Sequence, residues 1–390
     1  MPFDEEVLPR GIVSDLMRAD LDQLYFDRVH PFAPILHRWR YLIWAKSPPT
    51  EAQSGLQSAM WTLAAALSAQ FQSLRDALYA ETRQMLDALD LQPQTAVLEQ
   101  AQAWVLVCLY EYMYLSPQQA WMSAGRCGRL VLAMRLYELD DPSHSLEVDW
   151  TGKEEQRRTF WMAYTLDRLI SFHNGLPFTL HEQLISTRLP SPEDDFQVGQ
   201  PVASPFLGEV IGRGDSPGSF GECILLATLC GRALSHRQKV TDEPIHELHG
   251  EDTWTRHQWL HEMLRHRIQA LASCTPVDSM LVFARLVAQT MVLYLHNVLE
   301  STTWKTSEHL LGMIEYERLC ILAAHEVVHL VQIQGQLGYF KVHPLTPIPL
   351  TMCTEFFTAH GYLDCAFDGM LRELVECLQD LERVRHVTGV

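Results

Sequence analysis

Apolar residues recur at three- and four-residue spacing through most of the chain, and alternating strand-like runs are nearly absent. The pattern predicts an all-α fold. Residues 14–29 carry Leu16, Leu21, Leu24, Tyr25 and Phe26 on helical spacing and stop before Pro31, and residues 53–89 hold one or two helices. Residues 94–114 and 117–137 predict an antiparallel pair, with Ser116 as N-cap and Pro117 at the first helical position, where a missing N–H costs nothing. Phe160, Trp161, Tyr164, Leu166 and Leu169 mark another helix, and Gly175 with Pro177 supplies its stop and turn. Further helices are expected over 220–239, 253–273, 277–299, 307–337, 350–360 and 361–385.

Residues 191–220 break the pattern with four prolines, five glycines and the acidic run Glu193-Asp194-Asp195. They predict a surface excursion or lid. No linker separates a second hydrophobic core, so residues 1–390 are expected to form one helical domain, with helices again over 221–390.

Composition narrows the function classes. An apolar fraction of 47% over 390 residues is that of a packed globule. A formal charge of −18, from 30 basic against 48 acidic residues, argues against direct nucleic-acid binding. The short basic clusters Arg157-Arg158 and Arg265–Arg267 are expected on solvated helix faces. Nine scattered cysteines include no C-x-x-C pair, which excludes a binuclear zinc cluster within these residues and predicts buried free thiols in a reducing compartment. The acidic start and the lack of an uninterrupted apolar run of eighteen residues predict a soluble intracellular protein without a membrane span.

Several motifs invite a chemical reading. HEVVH at 325–329 matches the zinc-peptidase pattern, but no third ligand follows at the spacing that chemistry requires. Gly214–Gly218 spells G-x-S-x-G, yet Pro217 lacks the N–H an oxyanion hole needs after the serine. His173 and His181 flank the Gly175 turn and are candidates for proton transfer near Tyr164 and Trp161. Trp39, Tyr41 and Trp44 cluster just after the first helix, as core or as the wall of a cavity. Asp167-Arg168 is a candidate ion pair bracing the loop that follows. Neither a metal nor a cofactor is expected.

Two segments, YFDRVHPFAPILHR at 25–38 and EEQRRTFWMAYTLDRLISFHNGLPFTLHEQLISTRLP at 154–190, resemble the regulatory domain of fungal zinc-cluster transcription factors. The likeness is strongest over 14–190, covers about three quarters of the chain and weakens after Gln334. It implies a helical domain that binds a small molecule, and a possible homodimer. Lacking a zinc cluster and strongly acidic, the chain is also similar in kind to the hetero-Diels–Alder cyclases of fungal tropolone–sesquiterpene biosynthesis. That likeness implies a metal-free cyclase that joins a polyketide-derived quinone methide to a terpene. Its apolar substrate would meet His173, Tyr164 and Asp167 as catalytic groups and Trp44, Trp161, Phe178 and His181 as binding residues. The cyclase is the first expectation, and a ligand-sensing transcriptional regulator the alternative.

Overall fold

The computed structural model describes residues 13–92, 96–142, 149–213, 216–242, 250–272, 278–301 and 307–386. Among them are fifteen α-helices and no strand. The first six are α1 (Asp15–Arg28), α2 (Arg38–Trp44), α3 (Glu51–Ala66), α4 (Arg75–Asp90), α5 (Leu98–Tyr114) and α6 (Pro117–Ala133). Next come α7 (Trp150–Asn174), α8 (Glu193–Val198), α9 (Leu207–Val210) and α10 (Gly218–Asp242). The chain ends with α11 (Gly250–Ala272), α12 (Ser279–Glu300), α13 (Ser307–Gly335), α14 (Pro347–Ala359) and α15 (Phe367–His386).

The helix ends are set by side chains the sequence puts there. Ser14, Thr50 and Ser116 each accept a backbone N–H at the start of α1, α3 and α6, satisfying donors that have no partner inside the helix. α7 ends at Gly175, whose φ of 66° is the left-handed conformation that returns an N–H to the Ser171 carbonyl.

α7 joins two packed groups of helices. On one side it packs against α5 and α6, behind which lie α3, α4 and α1; on the other it meets α10 and α14. α10 packs on α12, which in turn holds α11, α13 and α14. The approach of α7 to α10 depends on Gly231, where an added Cβ would lie 2.7 Å from Arg168 Cδ. Buried apolar residues from Val13 to Leu374 form one continuous cluster.

Two expectations change in three dimensions. α12 is long and apolar enough to cross a membrane by length and composition, although no run of the sequence is unbroken; 78% of its apolar window is buried in the protein. Its hydrophobicity is that of a core helix, covered by four neighbours. Residues 191–220, expected to be irregular, contain α8 and α9. α8 is tied down because Phe196 is fully buried and Glu193 is paired on the surface of α7.

Candidate functional site

α7 buries 19 of its 25 residues, including charged ones, so its polar groups must find partners inside the protein. Its first turns form a hub. Glu154 accepts from Arg158 Nε at 3.1 Å and from the Ser191 N–H at 2.8 Å, and it pairs with Arg157. Arg158 also donates to the carbonyls of Pro34 (3.0 Å) and Ser191 (2.7 Å), pairs with Glu193, and stacks over Phe196 at 4.1 Å. Arg157 reaches both oxygens of Asp140, whose Oδ2 takes the Arg188 N–H at 2.8 Å. Glu193 accepts from Gln197 at 2.9 Å and meets His30 Nε2 at 2.7 Å. These bonds fasten the 30–37 turn, the 188–197 segment and Asp140, in the stretch that follows α6, to one helix. Arg157 and Arg158 therefore do not lie on a solvated face, and neither does Arg267, which is fully buried and 3.3 Å from Glu222.

Further along α7 the expected catalytic residues serve the fold. The Tyr164 hydroxyl meets Thr228 Oγ1 at 3.1 Å in a fully buried α7–α10 contact, and burial raises its pKa. Asp167 accepts the N–H groups of Thr179 and Leu180 at 3.0 Å, and burial raises its carboxyl too. Arg168 donates to the Leu180 carbonyl at 3.0 Å and lies between the rings of Tyr164 and Phe178, 4.3 and 4.5 Å from their centroids. Asp167 and Arg168 brace the loop as expected, each through its own bond to backbone. Trp161 is fully buried and donates Nε1 to the Arg188 carbonyl at 2.6 Å. His181 is exposed beyond the loop. Trp44 stands elsewhere, half-buried against Tyr41 in a shallow depression shared with Arg40, Leu98 and Glu155. The proposed catalytic and binding residues are thus spread over the core and two separate surfaces.

His173 alone of that set lines the cavity framed by α7, α10, α12 and α14, a space of about 560 Å³. This is the size of a small-molecule site. Phe172, Leu234, Thr290, Leu293, Tyr294 and Phe356 make an apolar, largely aromatic floor, with the Phe172 and Tyr294 rings 4.5 Å apart. Asn174, Arg237, Gln238, Asn297 and Glu355 contribute polar groups, and all five are exposed, so they form the mouth. His173 sits between floor and mouth with Nδ1 buried and without a partner. Burial lowers its pKa, with the Glu355 carboxylate acting against that shift. A flat, unsaturated body with a polar edge matches this lining. A second groove, about 440 Å³ between α11, α12 and α13, is more uniformly apolar and brings fewer polar groups together.

The other motifs resolve without chemistry. In HEVVH, Glu326 is held by Arg285 at 2.6 Å, and His325 and His329 are more than half exposed. Among the described residues no third ligand joins them. Gly214 and Asp215 of the G-x-S-x-G match lie outside the described residues, and Pro217 leads directly into α10, with no strand among the described residues before it. Eight cysteines are described, all free; six are buried, Cys377 is half-buried and Cys365 exposed, while Cys274 lies outside the described residues.

The fold and cavity together define a class: an all-α domain wrapped round one buried central helix, with an aromatic-floored cavity open at that helix's C-terminal end. Residues 23–265 match the family model of the fungal specific transcription factor domain. The chain belongs to that family. It is 46% identical to the pigment biosynthesis transcriptional activator pigB of Monascus ruber, over 96% of this chain and 73% of that protein. With the citrinin biosynthesis transcriptional activator ctnR of Monascus purpureus it shares 42% identity, over 95% of this chain and 66% of the relative. With the tropolone cluster transcription factor tropK of Talaromyces stipitatus the figures are 36%, 96% and 70%. The chain therefore spans about two thirds to three quarters of the length of these relatives.

Proposed function

We propose that the chain is the regulatory portion of a transcription factor that controls a secondary-metabolite gene cluster, and that the cavity at the end of α7 receives the small molecule it senses. The observation that carries this reading is the 46% identity to a pigment biosynthesis transcriptional activator across 96% of the chain. Relatives named for citrinin and tropolone clusters support the same assignment. With a charge of −18, this portion is suited to sensing rather than to reading bases. Its place of action would be the nucleus.

The regulator takes precedence over the cyclase for a physical reason as well. Tyr164 and Asp167 spend their polar atoms on Thr228 and on the backbone of the 179–180 loop, which leaves His173 as the one member of the expected catalytic set in the cavity. A chemical step needs its groups within hydrogen-bond reach of one substrate.

Deleting the gene in its own host and measuring transcripts of the neighbouring biosynthetic genes tests the reading. Loss of those transcripts, restored by the wild-type gene and not by a Met352→Trp variant that fills the cavity, is the expected result. Unchanged transcripts, together with accumulation of an uncyclised precursor, would instead make the protein an enzyme.

A further inference from the structure

At the C-terminal end of α12, His296 and Glu300 stand one turn apart on the same face, and His360, the residue that ends α14, comes up against them. One ligand atom from each of the three lies within 4.8 Å of the other two. His360 Nε2 is 2.6 Å from Glu300 Oε2, and His296 Nδ1 is 3.9 Å from the same oxygen. Both imidazoles are buried, whereas 34% of the Glu300 side chain remains exposed.

The protein alone does not satisfy these atoms. His360 Nδ1 lies 3.0 Å from the Phe356 carbonyl, and a carbonyl only accepts, so Nδ1 carries the hydrogen. In a neutral ring Nε2 then turns a lone pair toward a carboxylate oxygen that also offers only lone pairs. A positive charge has to stand between them. A proton on Nε2 would serve that pair, but it would leave His296 Nδ1 buried with no partner. An unsatisfied buried nitrogen is costly.

The geometry points to a divalent-metal site, for zinc in the first place, held by His296 Nδ1, Glu300 Oε2 and His360 Nε2. Two histidines and a carboxylate are a recurrent zinc set, with a water completing the shell on the exposed side. Ligand atoms bound to one tetrahedral zinc stand about 3.3 Å apart. The separations of 2.6 and 3.9 Å straddle that value, so an ion is accommodated by small movements of the two rings. An outer shell is present: Nδ1 of His360 donates to Phe356 O, and the Tyr362 hydroxyl donates to Glu300 Oε1 at 3.2 Å. Such contacts orient metal ligands. The Phe356 ring stacks on His360 at 4.2 Å and also lines the cavity, so an ion here would stiffen the cavity floor. The site itself does not depend on the regulatory reading.

The test is zinc titration of the chelator-treated full chain by calorimetry, with cobalt(II) absorption as a second readout. One equivalent per chain is expected, with affinity lowered by at least about 100-fold in His296→Gln, since loss of an outer-shell partner alone costs 10–100-fold. Glu300→Gln, at a partly exposed position, should show the same loss and guards against a folding defect in the buried variant. The double variant His325→Gln, His329→Gln should bind as the wild type does. No stoichiometric binding, or binding that survives in His296→Gln and Glu300→Gln, overturns the proposal and leaves a protonated His360 paired with Glu300. Binding lost only in the double variant overturns it too, and assigns the metal to the surface of α13.

Discussion

The first turns of α7 and the helices around α12 both bury polar side chains, the first mostly as paired charges and the second with several neutral imidazoles. At the start of α7 the charges are densely paired: Arg158 bonds through Nε, Nη1 and Nη2 to a carboxylate and two carbonyls at once, although Arg157 Nε and His30 Nδ1 stay buried without a partner. Around α12 several imidazoles keep spare nitrogens. His257 is fully buried with neither ring nitrogen bonded, and His173, His261 and His296 each keep one buried nitrogen without a partner. Dense pairing of charges favours one arrangement, because each bond lost strands a charge. Spare nitrogens leave room for a proton, an ion or a ligand. The difference separates a region that specifies the fold from one equipped to respond.

Removing a partner should break the first region most severely. Arg158→Leu leaves Glu154 buried and under-bonded, and should cost about 3–5 kcal/mol in urea unfolding, or prevent folding altogether. A loss below about 1 kcal/mol would show that the hub is not a structural anchor. Gly231→Ala pushes a methyl into Arg168 where the two regions meet, and an overpacked contact of this kind should cost about 1–3 kcal/mol.

Acid sharpens the contrast. Burial lowers the pKa of His257 from 6.5 to about 3 and of His261 from 6.5 to about 4, so both are neutral in the folded protein and take up protons on unfolding. Their contribution is complete above pH 6.5 and is lost as pH falls through those folded values. In the hub, burial pushes Glu193 upward, but His30, Arg158 and Gln197 hold its carboxyl down, from 4.5 to about 2. Its contribution is complete above pH 4.5 and is lost only toward pH 2. The two histidines should therefore pull unfolding midpoints down between pH 6.5 and 4.5. Glu155 pulls the other way, since burial raises its carboxyl from 4.5 to about 7 and so adds stability as pH falls over the same range. His257→Leu should remove part of the downward pull without loss at pH 7. Identical pH profiles for the wild type and His257→Leu would contradict the burial of that ring. Cavity filling is the mildest of the changes. Met352→Trp should shift stability by less than about 1.5 kcal/mol while abolishing any thermal shift given by extracts of the producing host.

The helical pattern was legible because it is local. Ser116 and Pro117 announce the start of α6, and Gly175 the end of α7, since capping involves residues a few positions apart. The hub was not, and Arg157-Arg158 read as a surface pair. Arg158 finds Pro34 at a separation of 124 residues and Ser191 at 33, and nothing in the spacing of charges reveals such partners. Tyr164, Trp161 and Asp167 looked available for chemistry because their types suit it, whereas their hydrogen-bond partners lie on α10 and in the 179–188 loop. The cavity was half visible. His173 was marked by its place beside a helix-ending turn, but Tyr294, Asn297 and Glu355 carry no local sign that they face it.

By itself the sequence determined the all-helical class, the main helices and several of their caps, and the family, because periodicity, capping and motif are written over short stretches. Tertiary structure decided which buried polar groups are spent and which are spare. His360 meets Glu300 across 60 residues, and α12 is a core helix only because four neighbours cover it. Desolvation and pairing depend on what surrounds a group, and those surroundings are assembled from parts of the chain that no local pattern connects.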